Sequence, residues 1–262
     1  LKRAVPVIVT RPARQAALLA AALEAEGFSV LELPMQQIVP IGDSVALRRA
    51  FANLTRYRLA VFVSPNAIEE ALVHLAGPWP TAVPIAVLGP GSRDALAAHG
   101  IAAPAYRVIC PAAPAANTGQ YLDSERLYRM LDVPALKGGT VLIVKGNGGR
   151  EWLANQLRAA GVDVDALEAY ERRAAPAVPA AQALLKTWID AAQKAQIVVT
   201  NSEALAQLVR CLDELGTGAR DWLLMQRLLV PHPRIAQNAT ELGFTRVDLV
   251  ALDDAGLVEA LK

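Results

Sequence analysis

A strand–turn–helix unit occurs twice in this chain, and that repeat limits the possible folds more than any other feature. The first copy runs Val7-Ile8-Val9-Thr10-Arg11-Pro12 into an Ala-rich helix that stops at Gly27. The second runs Leu142-Ile143-Val144-Lys145-Gly146-Asn147-Gly148-Gly149-Arg150 into a helix that stops at Gly161. Sliding one copy onto the other by the 134 positions between Gly27 and Gly161 pairs Leu19 with Leu153, Leu23 with Leu157 and Val30 with Val164. A short apolar β-rich run before a turn and a helical stripe is the pattern of a parallel sheet buried on both faces. The same shift sets Arg11 on Lys145. A cation at the carboxyl end of a buried strand, beside the free amides of a helix start, suits an anion. The duplication predicts two similar lobes facing each other, with the work done in the cleft between them.

Fainter echoes extend the pattern. The strand expected over 59–63 leads into Ser64-Pro65-Asn66-Ala67-Ile68, and the strand over 197–200 into Asn201-Ser202-Glu203-Ala204-Leu205, 137 positions on. Residues 85–88 with Gly89-Pro90 and Gly100 are answered by 228–230 with His232-Pro233 and Gly243, 143 positions on. Further strands are expected over 28–33, 163–168 (continuing through 172) and 247–251. Four strand–turn–helix blocks thus alternate along the chain, separated by connectors at 34–40 and 169–172, with a further Pro-bearing break at 174–179. The expected fold class is α/β with mainly parallel sheets. Two crossings between lobes make one discontinuous lobe of 1–36 plus 174–262 and one continuous lobe of 37–173. The hinge ribbon falls near 34–40 and 167–175. The Pro/Ala-rich stretch 103–119 reads as a long, mobile surface loop.

Charge and composition narrow the function classes. A net charge of +1 argues against a general nucleic-acid binder, which needs a basic excess to replace counterions. A polyanionic small molecule remains compatible, because a few local cations and helix starts can hold it. Cys110 and Cys211 are far apart, and His74, His99 and His232 are scattered, so neither a disulfide framework nor a metal site is expected. No apolar run approaches the roughly 20 residues a bilayer span needs, and no charged-then-apolar leader opens the chain. A soluble, cytoplasmic, monomeric protein is the expectation.

The candidate site residues each carry a plainer reading. Arg11 and Lys145 are either anion-facing or simply solvated, and their equivalent placement favours the first. The Gly146-Asn147-Gly148-Gly149 run is neither a Walker loop nor a dinucleotide fingerprint; it is a tight turn that exposes backbone N–H groups. Arg150 either forks onto a carboxylate or points to water. Ser64, Asn66, Ser92, Thr200, Asn201 and Ser202 follow strands and precede helices, where such residues cap the helix. Their concentration at one edge of both sheets is also where α/β proteins place ligands. Tyr170, in the second connector, is either a hinge aromatic or a cleft residue. His232 reads as a turn residue, and Trp79, Trp152, Trp188 and Trp222 as packing.

Seven stretches, in order, carry a resemblance: VTRP, FVSPNAIEEAL, VLGPGSRDAL, DSERL, VLIVKGNGGREWLANQLRAAGVDV, AYERR and VTNSEALAQLV. Together they span nearly the whole chain, which resembles the uroporphyrinogen-III synthase family. The resemblance implies two flavodoxin-like lobes joined by a two-stranded linker, the outer one built from both chain ends. It implies that hydroxymethylbilane, a polycarboxylate tetrapyrrole, is closed to uroporphyrinogen III with loss of water and inversion of ring D. No metal or organic cofactor is implied, and the upstream bilane-forming enzyme is the implied protein partner. Ser64, Gly91, Ser92, Asn201 and Ser202 become substrate-lining, with Arg11, Asn66, Lys145, Gly146, Asn147, Gly148, Arg150 and Thr200 beside them. Tyr170 becomes the residue nearest the leaving hydroxyl, where it assists by donating a hydrogen bond. Pro231-His232-Pro233-Arg234 departs from the family's usual Gly and small hydroxyl residue at that turn. The alternatives are a two-lobed small-anion binding protein without catalysis and a flavin or nucleotide protein, the latter lacking a phosphate loop.

Overall fold

The computed structural model describes residues 5–42, 44–112, 123–250 and 254–262. The chain opens with β1 (Val7–Val9), α1 (Ala13–Ala25), β2 (Val30–Glu32) and β3 (Gln36–Pro40). The central stretch holds α2 (Val45–Ala52), β4 (Tyr57–Phe62), α3 (Pro65–Leu72), β5 (Ile85–Val87), α4 (Pro90–Ala98) and β6 (Val108–Ile109). It continues with α5 (Ser124–Met130), α6 (Val133–Leu136), β7 (Thr140–Gly146), α7 (Trp152–Ala159) and β8 (Asp163–Ala174). The last third adds α8 (Pro179–Asp190), β9 (Gln196–Val198), α9 (Ser202–Glu214), α10 (Ala219–Leu224), β10 (Arg227–Val230), α11 (Pro233–Glu241), β11 (Val247–Leu249) and α12 (Asp254–Leu261). Two compact units result: unit 1 comprises Leu1–Gln37 and Arg173–Lys262, and unit 2 comprises Ile38–Arg172.

The repeat explains the sheets. Unit 1 carries the order β11-β10-β9-β1-β2, and the second sheet runs β3-β8-β7-β4-β5-β6. Matching β7 to β1, β8 to β2, β4 to β9 and β5 to β10 makes the two five-strand orders identical. All these pairings are parallel. The chain enters the pattern at different points: unit 2 builds β4, β5 and β6 before β7 and β8. In each unit the winding reverses between the first strand of the repeat and its neighbour, at β1/β9 and at β7/β4. Such a reversal is the switch point outside which open α/β sheets hold ligands.

Both faces of each sheet are covered at its centre, so the central strands β1, β4, β5 and β9 need no polar side. Ile8, Ile197, Leu228 and Val230 pack with Leu185, Leu205, Leu208 and Trp222 on one face of unit 1. Val7, Val9, Val198 and Leu229 meet Leu19, Leu23, Leu257 and Leu261 on the other. In unit 2, Ala60, Phe62, Leu142 and Val144 face the α2–α3–α4 side, while Leu59, Val61, Val141 and Ile143 face α5, α6 and α7. The alternation follows from the two-residue period of a strand.

Several expectations change. Among the described residues, strand–turn–helix blocks form at β1, β4, β5, β7, β9 and β10, more than the four expected. The stretch expected to be a loop from 103 contains β6, paired in parallel with β5; positions 113–119 lie outside the described residues, as does position 251 of the last expected strand. The helices α6 and α10 arise without a sequence expectation.

The crossings between units form a ribbon. β3 and β8 are neighbours. The Ala175 N–H donates to the Met35 carbonyl at 3.1 Å and the Ile41 N–H to the Ala169 carbonyl at 3.5 Å, so the two passes run antiparallel. β8 also pairs with β7, and there the register shifts: Lys145 lies opposite Glu168, but Gly146 opposite Tyr170. The extra residue is a bulge at Ala169, which re-aims the next side chain. Ala169 and Tyr170 are in consequence both buried in the same core, although they are neighbours in a strand.

Candidate active site

In unit 2 the bulge brings three sequence-selected residues together. Ser64 follows β4 in an extended conformation and caps α3, its Oγ accepting the Ala67 N–H at 3.1 Å. Pro65 then starts the helix with a preset φ. The Tyr170 hydroxyl lies 3.1 Å from Ser64 Oγ. Its ring covers Gly146 so closely that a Cβ there would fall 2.5 Å from Tyr170 Cζ. Tyr170 is only 3% exposed, a buried phenol rather than an open one.

The turn after β7 is tied to the ribbon. The Asn147 N–H donates to the Tyr170 carbonyl at 2.8 Å, and Asn147 Oδ1 accepts the Arg172 N–H at 2.7 Å. The Arg172 guanidinium returns a hydrogen bond to the Asn147 carbonyl at 3.1 Å. Gly148 and Gly149 then take φ of 62° and 82°, the left-handed region open to glycine at no steric cost. The side chain of Asn147 is therefore committed to holding the turn.

Unit 1 repeats the arrangement with different chemistry. Thr10, fully buried, donates its Oγ1–H to the Val198 carbonyl at 2.8 Å and ties β1 to β9 at the switch point. Asn201 caps α9, its Oδ1 accepting the Ala204 N–H at 2.7 Å, while its Nδ2 donates to Gln36 Oε1 at 3.0 Å. Ser202 Oγ accepts from Asn238 Nδ2 at 2.8 Å, joining α9 to α11. Gln36 is 2% exposed, and its Nε2 has no hydrogen-bond partner among the described residues. Sequence reasoning missed Gln36, yet a signal was available: it precedes Tyr170 by 134 positions, the same shift that sets Arg11 on Lys145.

Of the six polar residues expected to cap helices, Ser64 and Asn201 do so. Ser92 lies inside α4, 5% exposed, and the cap there is Gly89. Asn66 is the second residue of α3, Thr200 precedes the cap of α9, and Ser202 opens that helix. Gly91 is exposed in the first turn of α4, and a Cβ on it would touch Pro65 at 3.9 Å, so the starts of α3 and α4 are adjacent. His232 caps α11 through Nδ1, which accepts the Arg234 N–H at 3.1 Å.

Each expected cation has an internal carboxylate. Arg11 pairs with Asp254 at 2.5 Å, Lys145 with Glu151, and Arg150 with Glu125. A carboxylate for Arg150 was one of its two readings, but its identity as Glu125, and Asp254 for Arg11, were hidden because both are remote in sequence.

The amino edge of the unit 2 sheet differs in character. A groove of about 620 Å³ there is lined by Arg56, Thr140, Arg158 and Asp165, among others. The Tyr57 hydroxyl donates to Asp165 at 2.8 Å and accepts from Arg56 at 2.7 Å. Burial, then the hydrogen bond to Asp165, pushes the Tyr57 phenol above its ordinary range. The described residues contain no group of three or more His, Cys, Asp or Glu that could hold a metal ion.

A duplicated, doubly wound α/β chain with polar helix starts at both switch points belongs to the flavodoxin-like class. A family model described as "Uroporphyrinogen-III synthase HemD" matches residues 17–253, so the chain belongs to the uroporphyrinogen-III synthase family. It is 29% identical to the uroporphyrinogen-III synthase of Salmonella typhimurium, covering 98% of this chain and 99% of that one. Identity to the Escherichia coli protein of the same name is 28%, with the same coverage. Among solved structures, a mutant uroporphyrinogen III synthase from Thermus thermophilus aligns with a TM-score of 0.59 at 17% identity, covering 98% and 96% of the two chains. The Helicobacter pylori uroporphyrinogen-III synthetase aligns with a TM-score of 0.57 at 13% identity, covering 98% and 100%. At such identities the structural likeness speaks for the fold.

Proposed function

We infer that the chain carries out its family's reaction, closing hydroxymethylbilane to uroporphyrinogen III with loss of water and inversion of ring D. The observation that carries this reading is the family match over residues 17–253, joined to relatives of that name along nearly the full length. The chemistry asks for little from any one side chain. Loss of the bilane hydroxyl leaves an azafulvene cation, and the product then depends on which carbon of ring D reaches it. The protein's task is orientation, with electrostatic support for the cation.

Tyr170 is assigned an assisting role at the leaving hydroxyl. Support comes from proton bookkeeping around Ser64. Its Oγ accepts the Ala67 N–H, so its own hydrogen is available for the Tyr170 oxygen, leaving the phenol proton for the departing water. Arg11, Lys145 and Arg150 are assigned to substrate carboxylates. The turn and helix-start residues Asn66, Gly91, Ser92, Gly146, Asn147, Gly148, Thr200, Asn201 and Ser202 are assigned to line the substrate, with Ser64. The bilane closes by itself to the wrong isomer, which makes the upstream bilane-forming enzyme the natural supplier. Action as a cytoplasmic monomer completes the proposal; no helix among the described residues is long and apolar enough to cross a membrane.

The test is to incubate the protein with freshly made hydroxymethylbilane and resolve the oxidised isomers. Isomer III is expected; isomer I alone would return the chain to the class of anion binders. Tyr170→Phe should keep isomer III and lower kcat about tenfold, whereas a loss of about a hundredfold or more would make the phenol central to the chemistry.

A further inference from the structure

In both copies of the repeat the strand-end cation is largely covered while its carboxylate partner is open to water. The side chain of Arg11 is 9% exposed against 42% for Asp254, and that of Lys145 is 14% exposed against 45% for Glu151. The repeat equates the two cations but not the two carboxylates. Glu151 precedes α7, six residues after Lys145, and the position equivalent to it in the first copy is Ala17. Asp254 instead comes from α12, 243 residues away from Arg11. The duplicated unit did not supply this pairing. Each copy covers its cation with a carboxylate drawn from a different place.

We propose that Glu151 and Asp254 are resident counter-ions that exchange with substrate carboxylates and so set the selectivity for a polycarboxylate. The inference rests on the synthase reading and deepens it. A covered cation without a counter-charge is costly, so Arg11 and Lys145 need an anion at all times. An exposed carboxylate can leave for water at little expense, since solvent-screened pairs are weak. A ligand with one carboxylate exchanges one pair for another and gains almost nothing. A ligand bearing several carboxylates offers more of them at each cation, so the exchange is favoured at each site taken by itself. The resident carboxylates also repel any anion that fails to displace them, which is discrimination by exclusion.

The experiment compares steady-state constants for hydroxymethylbilane in Glu151→Gln, Asp254→Asn and the double variant, with isomer analysis and thermal unfolding alongside. Each amide keeps the shape and removes the competing charge. The expected result is a KM lower by roughly two- to fivefold in each single variant, multiplying in the double because the sites are in separate units. Glu151→Asp should restore the wild-type KM. A KM that is unchanged or raised in Glu151→Gln, whatever happens to Tm, overturns the proposal, and that variant decides alone if Asp254→Asn fails to fold. Wild-type protein yielding only isomer I would instead remove the synthase reading itself, so the two failures are distinguishable.

Discussion

At the end of β7, unit 2 places a glycine beneath the Tyr170 ring; at the matching point of unit 1, after β1, the repeat places Pro12, with Gln36 where Tyr170 would be. The ribbon residue reaches the cap of a helix in both units, as a hydroxyl on Ser64 in one and an amide on Asn201 in the other. Hydroxyls both donate and accept, so the pair in unit 2 can reverse its direction when a ligand arrives. The amides in unit 1 cannot. The Ala204 N–H requires Asn201 Oδ1, so Nδ2 must face Gln36, and Gln36 must answer with Oε1. Its Nε2 is thereby turned into the interior, where it meets no partner among the described residues. Duplication preserved the backbone and the caps, while the two ribbon side chains diverged into a reversible contact and a fixed one.

The largest expected effect tests the glycine. Gly146→Ala should cost about 1–3 kcal/mol, because the new methyl meets the Tyr170 ring inside a packed core. Removing the ring in Gly146→Ala/Tyr170→Ala should add less than the sum of the singles. Pro12→Ala, its counterpart in unit 1, should cost under about 1 kcal/mol. Equal losses of Tm for Gly146→Ala and Pro12→Ala would show that the close approach in unit 2 has no special weight. Next come the caps. Ser64→Ala and Asn201→Ala should each cost about 1 kcal/mol from the lost cap alone. Gln36→Leu should recover stability in the Asn201→Ala background, since removing both polar partners is gentler than stranding one. If denaturant titration finds Gln36→Leu equally harmful with and without Asn201, the amide pair is not the unit it is taken for.

The smallest effect lies at the amino edge of unit 2. Tyr57, with its phenol raised above 10.0, keeps its proton longer in the folded chain than in the unfolded one. Its contribution to stability is thus complete below about pH 10 and falls as pH rises past that point. Tyr57→Phe should flatten the alkaline loss of stability and leave neutral pH behaviour nearly unchanged. An identical alkaline slope in the two proteins would count against a buried, carboxylate-bonded phenol.

Much of the fold could be read from local pattern. The apolar runs at β1, β4, β7 and β9, the glycines after α1 and α7, and the matched caps at Ser64 and Asn201 are short-range signals with physical causes. The strand β6 was hidden because two residues in a Pro/Ala-rich stretch carry no periodicity, and only pairing with β5 makes them a strand. The site was legible as an edge but not as a set of contacts. Ser92 looked like a cap and is a buried helix residue, while Arg11 and Lys145 looked open to an anion and are each paired, and Arg150 takes the carboxylate of its two readings.

By itself the chain determined which segments become strands and helices, that the pattern occurs twice, and that polar and cationic residues follow the strands. Those properties depend on neighbours a few positions apart, where propensity and periodicity act. Tertiary structure decided that a bulge at Ala169 turns Tyr170 toward Ser64, that Gln36 meets Asn201 across 165 positions, and that Asp254 covers Arg11. Contacts of that kind depend on register and on long-range closure, which shift by a whole face with one added residue.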